Sequence, residues 1–280
     1  MNRVKSFDNE NNILYLIATP IGNLQEFTPR ALNILKECDV VAAEDTRNTK
    51  LLLSHFDIHK NLISLREHNE IVASQNVIKL IKEGKKVVYV SDAGYPCISD
   101  PGNILVKIAI ENGVKVSTVC GSSAFINALV ASGLAADHFY FHGFLSPKTG
   151  ECEKQLEELK YKPETLIFYE SPHRIGDTLK SLLKVLGNRN AVIARELTKI
   201  NEEYIRGALE ELVTLDETTL KGEMVIIVEG NKSQDISDES IKEYVGCLMR
   251  NGMSEKSAIE STAELLKINK NRVKKLIINK

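Results

Sequence analysis

The sequence predicts an α/β protein with two α/β domains and a small helical segment at its C-terminus, and three observations predict this. Over residues 13–122, short apolar runs alternate with helical patterns of about 10–15 residues, which indicates βαβ units and a mostly parallel sheet. Over residues 123–230, fewer residues separate the last apolar runs, which favours a mixed sheet with hairpins. Residues 231–280 begin with a polar linker over 231–237 and continue with three short helical patterns.

The first domain is predicted to contain strands at residues 13–18, 40–43, 62–65, 87–90 and 115–119. Helices are predicted between them, at about residues 29–37, 46–56, 70–84 and 101–112. Thr28 is suited to cap the first helix, with Pro29 at its first position, and Thr46 is suited to cap the second. Gly84 ends the third helix, because glycine tolerates a left-handed turn.

The second domain is predicted to contain strands at residues 139–141, 165–169, 191–194, 204–206 and 224–228. Its helices are expected at about 152–160, 174–186 and 209–215. The C-terminal segment is expected to form helices at 241–250, 254–266 and 270–278, with caps at Ser237 or Ser240 and at Ser254. Residues 1–12 are polar and are predicted to form a flexible tail.

The overall charge is close to neutral, with 36 basic and 38 acidic residues among 280. A nucleic-acid partner would therefore have to be held by a local basic surface rather than by the whole molecule. One candidate is the end of the chain, because residues 267–280 contain six basic residues and no acidic one. A solvated helix face explains the same charges equally well.

No apolar run approaches the ~20 residues of a membrane-spanning helix, and the polar N-terminus does not resemble a signal peptide. The five cysteines are Cys38, Cys97, Cys120, Cys152 and Cys247. Their odd number and the lack of a C-x-x-C pair argue against a disulfide framework or a structural zinc site. Each cysteine is predicted to be a small buried hydrophobe. We therefore expect a soluble, cytoplasmic protein that binds no metal ion.

The loops after the strands of the first domain are rich in glycine, proline, serine and charged residues. In an open parallel sheet, ligands bind beyond the carboxyl ends of the strands. Glycine lets backbone amides approach a ligand, and Pro20, Pro96 and Pro101 stiffen these loops. The sequence contains neither a G-x-G-x-x-G fingerprint nor a G-x-x-x-x-G-K-S/T loop, so NAD and ATP are poor candidates. The pattern favours another ligand, held mainly by backbone groups.

Several sequence blocks carry a resemblance to a known family. They are residues 19–23 (TPIGN), 43–47 (AEDTR), 91–94 (SDAG), 99–102 (SDPG), 168–174 (FYESPHR), 194–199 (ARELTK) and 221–224 (KGEM). These blocks resemble the tetrapyrrole-methylase-like (class III) S-adenosylmethionine-dependent methyltransferases, and the similarity is greatest to those that act on small-subunit ribosomal RNA. The resemblance covers about residues 13–230, and the helical tail is similar to a helix-turn-helix-like segment of those enzymes.

The resemblance implies the tetrapyrrole methylase fold, in a homodimer whose subunits bind S-adenosylmethionine in the cleft between their two domains. It also implies 2′-O-methylation of a cytidine in the decoding region of 16S rRNA in the small ribosomal subunit. The implied cofactor-binding residues are Pro20, Ser91, Asp92, Ala93, Gly94, Gly121, Ser122, Ser123, Ala124, Gly222 and Glu223. Two blocks depart from the family pattern. Residues 95–97 read Tyr-Pro-Cys instead of Thr-Pro-Leu, and residues 120–124 read Cys-Gly-Ser-Ser-Ala instead of Pro-Gly-Pro-Ser-Ala.

Methyl transfer to a ribose hydroxyl needs alignment of oxygen, carbon and sulfur, and removal of the hydroxyl proton. The candidate catalytic residues are charged side chains on the loops: Asp45, Arg47, His68, Glu70, Glu170 and Lys199. Several have a structural alternative. Asp45 is placed to cap a helix, Arg47 to pair with Glu44 or to bind phosphate, and His68 to be an exposed loop residue. Glu170 directly follows an apolar strand and is expected to face the cleft.

The candidate RNA-binding residues are Arg47, Lys148, Arg189, Lys270, Arg272, Lys274 and Lys275. Two other function classes stay open. One is a methyltransferase of the same fold that acts on a tetrapyrrole or a protein; the basic loops and tail favour RNA over these. The other is a non-catalytic RNA-binding module for ribosome assembly, which the altered loop at residues 120–123 leaves open.

Overall fold

A computed structural model describes residue 5 and residues 12–231, 237–266 and 268–278. The predicted tail (residues 1–12, apart from Lys5 and Asn12), residues 232–236 of the predicted linker, and Lys267 and Lys280 lie outside the described residues. The chain divides into two compact units. The first extends to Ala131 and includes Arg195–Glu203, and the second comprises Ser132–Ala194 and the chain from Tyr204 onward.

Within residues 12–132, the first unit contains a parallel sheet with helices. The strands are β1 (Ile13–Ile17), β2 (Val40–Ala43), β3 (Asn61–Ser64), β4 (Val87–Val90) and β5 (Lys115–Val119). Their order is β3-β2-β4-β1-β5, and every neighbouring pair is parallel, which confirms the predicted parallel sheet. The helices are α1 (Pro29–Glu37), α2 (Thr46–His55), α3 (Glu70–Lys82), α4 (Asn103–Glu111) and α5 (Ala124–Ser132).

The central strands of this sheet are buried on both faces, as their continuous apolar sequences predict. In β4, Val87 and Tyr89 pack in a core that includes α3 and α4, whereas Val88 and Val90 pack in a core that includes α1 and α2. This alternation follows from the two-residue period of a strand. The loops at the carboxyl ends of the strands are therefore held by a rigid, three-layered scaffold.

Three local expectations for the first unit need correction. Asp45, not Thr46, caps α2: its carboxylate accepts a hydrogen bond from the Arg47 amide at 2.9 Å. Helix α4 begins at Asn103 rather than near residue 101, because Gly102 adopts a φ of +130°, outside the helical region. Helix α5 was not predicted, and it stays with the first unit beyond the expected domain boundary at residue 122, since Ala128 and Leu129 are buried.

The second unit contains a mixed sheet, as predicted. Its strands are β6 (Phe139–Phe144), β7 (Thr165–Glu170), β8 (Asn190–Arg195), β9 (Glu203–Ala208) and β10 (Met224–Val228). The order is β6-β7-β10-β8-β9; β6 is parallel to β7, and β10 is antiparallel to it. The helices that accompany the sheet are α6 (Thr149–Leu159), α7 (Ile175–Leu186) and α8 (Leu209–Leu212). Helix α8 is shorter than predicted, because the amides of Thr214 and Leu215 bond to carbonyls three residues earlier, which ends the α-helical hydrogen-bond pattern at Leu212.

Beyond residue 236, the described chain forms three helices: α9 (Asp238–Arg250), α10 (Glu255–Leu265) and α11 (Lys270–Ile278). Ser237 and Ser254 cap α9 and α10, as their positions predict. Ile241, Val245 and Val273 form part of a small apolar core of their own. The helices belong to the second unit, and Tyr161 packs edge-to-face on Tyr244, with ring centroids 5.7 Å apart.

The cysteines are less uniform than predicted. Cys38 and Cys152 are buried and Cys97 is half-buried, but Cys120 and Cys247 are exposed, so the expectation of burial is wrong for these two. Burial raises the pKa of the Cys38 thiol to about 11. In the part of the chain that the structure describes, no helix has both the length and the apolar character needed to cross a membrane.

Candidate functional site

The loops after β1 and β4 are joined by a short antiparallel bridge. The Thr19 amide donates to the Gly94 carbonyl at 2.9 Å, and the Gly94 amide donates to the Thr19 carbonyl at 3.0 Å. The Thr19 hydroxyl also donates to the Ser91 carbonyl at 3.1 Å. Gly94 has a φ of +77°, which favours glycine. The structure therefore brings Pro20 and the turn at residues 91–94 together, as the cofactor prediction requires.

The loop after β5 is tied to the loop after β4 by a residue that departs from the family pattern. The Gly121 amide donates to the phenolic oxygen of Tyr95 at 3.0 Å. A Cβ atom on Gly121 would lie 2.8 Å from the Cβ of Ala18, so this position needs glycine. Ser122 is buried, and its hydroxyl donates to Glu26 at 3.2 Å. These contacts hold in place a loop that lacks the prolines of the family pattern.

The loop after β2 is linked to the β4 loop through Asp92. The Asp92 carboxylate accepts hydrogen bonds from the Asp45 amide at 3.2 Å and from Asn48 Nδ2 at 2.8 Å. Asp45 in turn binds the Arg47 guanidinium with two hydrogen bonds, at 3.1 and 2.6 Å. These bonds hold the pKa of Asp45 well below its usual range. Asp45 is thus a helix cap with a low affinity for a proton, and Arg47 has an 83% exposed side chain.

Glu70 and His68 follow β3 and have very different surroundings. Glu70 is only 6% exposed, and its Oε1 accepts the amides of Gly102 at 2.8 Å and Ile104 at 2.9 Å. The carboxylate therefore caps the start of α4, where negative charge is favourable. His68 is exposed in a short turn over Glu67–Asn69. The structure does not leave the Glu70 carboxylate open to a ligand.

Two carboxyl groups outside the predicted catalytic set, those of Glu44 and Asp100, also lie in the loops after the strands of the parallel sheet. Burial first, and the charge of Glu44 second, raise the pKa of Asp100 to about 6. Burial and the charge of Asp92 raise the pKa of Glu44. Both residues belong to sequence blocks that carry the family resemblance. Their raised pKa values distinguish these two carboxyl groups. The burial and the like-charge contacts that cause the rise cannot be read from a sequence alone.

Lys199 reaches this unit from a distant part of the sequence. The segment Arg195–Glu203 belongs to the first unit, and a Cβ atom on Gly22 would lie 2.6 Å from Lys199 Cγ. Lys199 Nζ pairs with Glu196 at 2.9 Å. Glu196 and Thr198 both have a positive φ, which is unusual for residues with a side chain. The structure therefore places Lys199 beside the loop that contains Pro20 and Gly22.

In the second unit, Glu170 does not behave as predicted. It is 2% exposed, and its carboxylate accepts hydrogen bonds from the Thr178 hydroxyl at 2.6 Å and the Ser171 amide at 2.8 Å. Arg174 lies 3.6 Å from the same carboxylate. The expectation that Glu170 faces an open cleft is therefore wrong, because its bonding capacity is used inside the unit. Gly222, with a φ of +86°, and the exposed Glu223 precede β10, where Met224 is opposite Glu170.

The predicted RNA-binding residues of the second unit fall into three groups. The Arg189 guanidinium donates to the carbonyl oxygens of Leu186, Glu229 and Lys160, so its prediction as an RNA contact is wrong. Lys148, Lys270 and Arg272 form ion pairs with acidic side chains at 3.0, 2.7 and 2.8 Å. Lys274 and Lys275 are exposed on α11.

Comparison with known proteins identifies the family of this chain. A family model described as "Tetrapyrrole (Corrin/Porphyrin) Methylases" matches residues 13–213. A relative from Halalkalibacterium halodurans, named "Ribosomal RNA small subunit methyltransferase I", is 47% identical and covers 91% of this chain and 90% of its own. Relatives with the same name from Bacillus subtilis and Escherichia coli O157:H7 are 41% and 42% identical, and cover 94% and 98% of both chains.

Solved structures agree on the fold. The uroporphyrin-III-C-methyltransferase of Thermus thermophilus superposes with a TM-score of 0.55 at 19% identity, covering 77% of this chain and 94% of that protein. A cobalt precorrin-4 methyltransferase gives a TM-score of 0.56 at 18% identity, covering 78% and 95%. At this level of identity the likeness concerns the architecture alone.

The methyl donor of this family is S-adenosylmethionine, and the loop edge of the first unit suits it. Its sulfur is positively charged, and Glu44, Asp92 and Asp100 concentrate negative charge beside the turn at residues 91–94. Burial is the main cause of the raised pKa values of Glu44 and Asp100, and a bound cation would relieve the like-charge repulsion that adds to it. Sequence and fold agree, and the chain belongs to the tetrapyrrole (corrin/porphyrin) methylase family of S-adenosylmethionine-dependent methyltransferases.

Proposed function

We propose that this methyltransferase transfers a methyl group to the 2′-hydroxyl of a cytidine in the decoding region of 16S rRNA. One observation carries the proposal: relatives that are 41–47% identical over more than nine-tenths of the chain are named for small-subunit ribosomal RNA. Such identity extends over both units and the C-terminal helices. The proposal includes a cytoplasmic homodimer that acts on the small ribosomal subunit.

The cofactor contacts are proposed on both units separately. In the first unit they are Pro20, the turn at residues 91–94 and the loop at residues 121–124, which the hydrogen bonds described above hold together. In the second unit they are Gly222 and Glu223. S-adenosylmethionine, when bound, supplies a methyl group on a positively charged sulfur. The Asp92 carboxylate is already bonded to α2, so we assign the cofactor contact at this residue to its backbone.

The residues of the chain must align the ribose hydroxyl and accept its proton. A general base works best when its pKa lies near the working pH. Of the carboxyl groups described at this edge, Asp100 meets that condition, since its pKa is raised to about 6. We therefore assign the role of general base, which accepts the proton of the ribose hydroxyl, to Asp100. Asp45 and Glu70 are not assigned this role, because their carboxylates cap helices. His68 is exposed and stays a candidate that the contacts do not favour.

Positive charge is proposed to act on the RNA at two places. The side-chain stem of Lys199 lies beside Gly22, and its ammonium group, which pairs with Glu196, is proposed to favour a developing negative charge on the hydroxyl oxygen. Arg47 has an exposed guanidinium that suits a phosphate group. Lys148, Lys270, Arg272, Lys274 and Lys275 are proposed as further phosphate contacts, and those that form surface ion pairs can exchange the carboxylate for a phosphate at little cost.

The test is methyl transfer from labelled S-adenosylmethionine to small subunits isolated from cells that lack the enzyme. We expect label in 16S rRNA at one cytidine, in a nucleotide whose 3′ linkage resists alkali because the 2′-hydroxyl is blocked. A uroporphyrinogen and ribosomal proteins serve as alternative acceptors in parallel reactions. Label in either of these, with none in RNA, would replace the proposal by the corresponding acceptor. Binding of subunits without transfer to any acceptor would indicate a non-catalytic assembly factor.

A further inference from the structure

A pocket opens beside the cofactor turn, within the first unit. Its volume is about 390 Å³, a size typical of small-molecule sites. One side is formed by Pro20, Gly22 and the Ser91–Asp92 turn, and the other by the exposed face of α2. The pocket therefore adjoins the proposed cofactor contacts, and none of its residues from α2 belongs to those contacts.

The α2 side of the pocket combines two leucines with Asn48, Thr49 and His55. Leu51 and Leu52 line it, and Leu51 is 71% exposed. An exposed apolar side chain acquires meaning when it belongs to a pocket that also contains polar groups. Asn48 and Asp92 supply such groups here. This combination suits a flat ring with hydrogen-bonding groups along one edge.

Asn48 and Asp92 present a donor next to an acceptor in a fixed order. Asn48 Nδ2 donates to Asp92 Oδ2 at 2.8 Å, and the Asp45 amide holds the other carboxylate oxygen at 3.2 Å. A carboxylate cannot donate, so the amide nitrogen of Asn48 must face it. The amide retains a second N–H, and the carboxylate oxygen retains a lone pair. Both side chains are exposed, so both groups are open to a ligand.

This order complements cytosine and opposes uracil. Cytosine carries its N4 amine, a donor, beside N3, an acceptor; these can meet the Asp92 carboxylate and the Asn48 amide, respectively. Uracil carries an acceptor and a donor in the reversed positions, so its O4 would face the carboxylate. Bases of single-stranded RNA are commonly bound in this way, through their Watson–Crick edge and with their face on a side chain.

We propose that this pocket holds the base of the acceptor nucleotide and that the Asn48–Asp92 pair selects cytosine over uracil. The proposal rests on the proposed function, since it assumes a nucleotide acceptor. It adds base selection by α2 to the transfer reaction, and it separates that role from cofactor binding. One matched pair of side chains of this kind is worth roughly a 10- to 100-fold preference.

The test compares kcat/KM on small subunits whose methylated cytidine, once mapped, is kept or changed to uridine by mutation of the rRNA gene. The wild-type enzyme is expected to prefer cytidine by roughly 10- to 100-fold. Asn48→Ala is expected to lower kcat/KM on cytidine by about tenfold and to reduce the preference. The exchange Asn48→Asp with Asp92→Asn keeps the mutual hydrogen bond but reverses its polarity, and is expected to shift the preference towards uridine. Ser54→Ala, on α2 but not among the residues that line the pocket, is the matched control and is expected to act like wild type.

Calorimetry with S-adenosylmethionine is expected to give the wild-type affinity for Asn48→Ala, which also confirms folding. Equal wild-type rates on cytidine and uridine would overturn the inference without any variant. So would an Asn48→Ala enzyme that keeps both rate and preference. If the wild-type enzyme methylates no nucleotide in the subunit, the proposed function itself fails. Failure of base selection alone, with intact transfer to a cytidine, leaves the proposed function in place.

Discussion

The two units give opposite roles to a carboxylate that follows a buried strand. In the first unit, Glu44 directly follows β2 and Asp92 lies two residues beyond the end of β4. Asp92 is exposed, and burial together with the Asp92 charge raises the pKa of Glu44. In the second unit, Glu170 at the end of β7 is buried and bonded to Thr178 and Ser171. All three carboxylates thus stand at, or just beyond, the end of a buried strand. What differs is exposure: the Glu170 carboxylate is buried and bonded inside its unit, whereas Asp92 accepts two hydrogen bonds but is exposed and keeps lone pairs open to a ligand.

The prediction with the largest expected effect tests whether the loops after the strands of the first unit are the part of the molecule that binds a ligand. Gly94→Val places a branched side chain at a φ of +77° and disturbs the Thr19–Gly94 bridge. We expect the affinity for S-adenosylmethionine to fall by roughly 100-fold, or about 2.7 kcal/mol, as measured by calorimetry. Gly84→Val is the control, because Gly84 has a φ of +87° and no atom within 4 Å of an added Cβ. The control should lose stability but keep its affinity. Equal losses of affinity in both variants would contradict the assignment of the cofactor contacts to the turn that contains Gly94.

A second prediction concerns the satisfied carboxylate. Glu170→Ala removes the acceptor of the Thr178 hydroxyl and of the Ser171 amide inside the second unit. It also removes the carboxylate beside Arg174, whose guanidinium keeps its hydrogen bonds to the backbone carbonyls of residues 145 and 146. The free energy of unfolding in denaturant is expected to fall by about 2–4 kcal/mol. Glu157→Ala removes an exposed pair with Lys160 at 3.4 Å and should change it by less than about 0.5 kcal/mol. A Glu170→Ala enzyme that is as stable as wild type but has lost its turnover would instead make Glu170 catalytic.

The third prediction follows from the pKa of Asp100, which is raised from 3.8 to about 6. The folded protein then holds a proton that the unfolded chain releases, so this stabilisation is complete below pH 3.8 and is lost as the pH rises to about 6. Asp100→Asn should flatten that fall, and at pH 7 should raise the free energy of unfolding by about 1 kcal/mol after allowance for solvent screening.

The same substitution tests the proposed role of Asp100. In the wild-type enzyme, kcat/KM should rise with pH through about 6 as the carboxyl group ionises, and Asp100→Asn should lose this limb together with most of its rate. Asp137→Asn, at an exposed position, is the control for both measurements. An Asp100→Asn enzyme with the wild-type rate and pH profile would remove Asp100 from the mechanism.

The prediction with the smallest expected effect concerns the exposed lysines of α11 in the second unit. Replacing Lys274 and Lys275 together by alanine should weaken subunit binding a few-fold. The slope of log affinity against log salt should fall by about 1.4–1.8, since two phosphate contacts are removed. Lys107→Ala, at an exposed position on α4 and outside the proposed RNA contacts, is the control and should leave the slope unchanged. A double variant with the wild-type salt dependence would exclude these lysines from the RNA interface.

Much of the fold follows from local sequence signals. Val40–Ala43 and Val87–Val90 form the strands that their apolar runs predict, and α1 starts at Pro29 after the Thr28 cap. Helix α5 escaped prediction because its sequence, AFINALVAS, is apolar almost throughout and has no helical period to indicate an amphipathic face. Periodicity detects half-buried helices, and a helix of this kind gives no such signal.

The site was harder to predict than the fold, because its chemistry depends on contacts between distant residues. The convergence of the loops follows from parallel strands and could be anticipated. The roles of Glu70 and Arg189 could not, since their partners are backbone groups 32 and 29–40 residues away. The donor order of Asn48 and Asp92 likewise joins residues 44 positions apart. A sequence shows which charges are present, but not which of them a neighbour has already neutralised.

The segment Arg195–Glu203 makes the first unit discontinuous along the chain. A ribosome that has synthesised residues up to Ala131 has supplied every strand of the parallel sheet, but not Leu197 or Lys199, which pack against Gly22. About 70 further residues must therefore be synthesised before Leu197 and Lys199 can cover the loop after β1. A fragment that ends at Ala131 would leave the loop around Gly22 exposed. Gene fusions or truncations at that point would likewise separate the loop that contains Pro20 from Lys199.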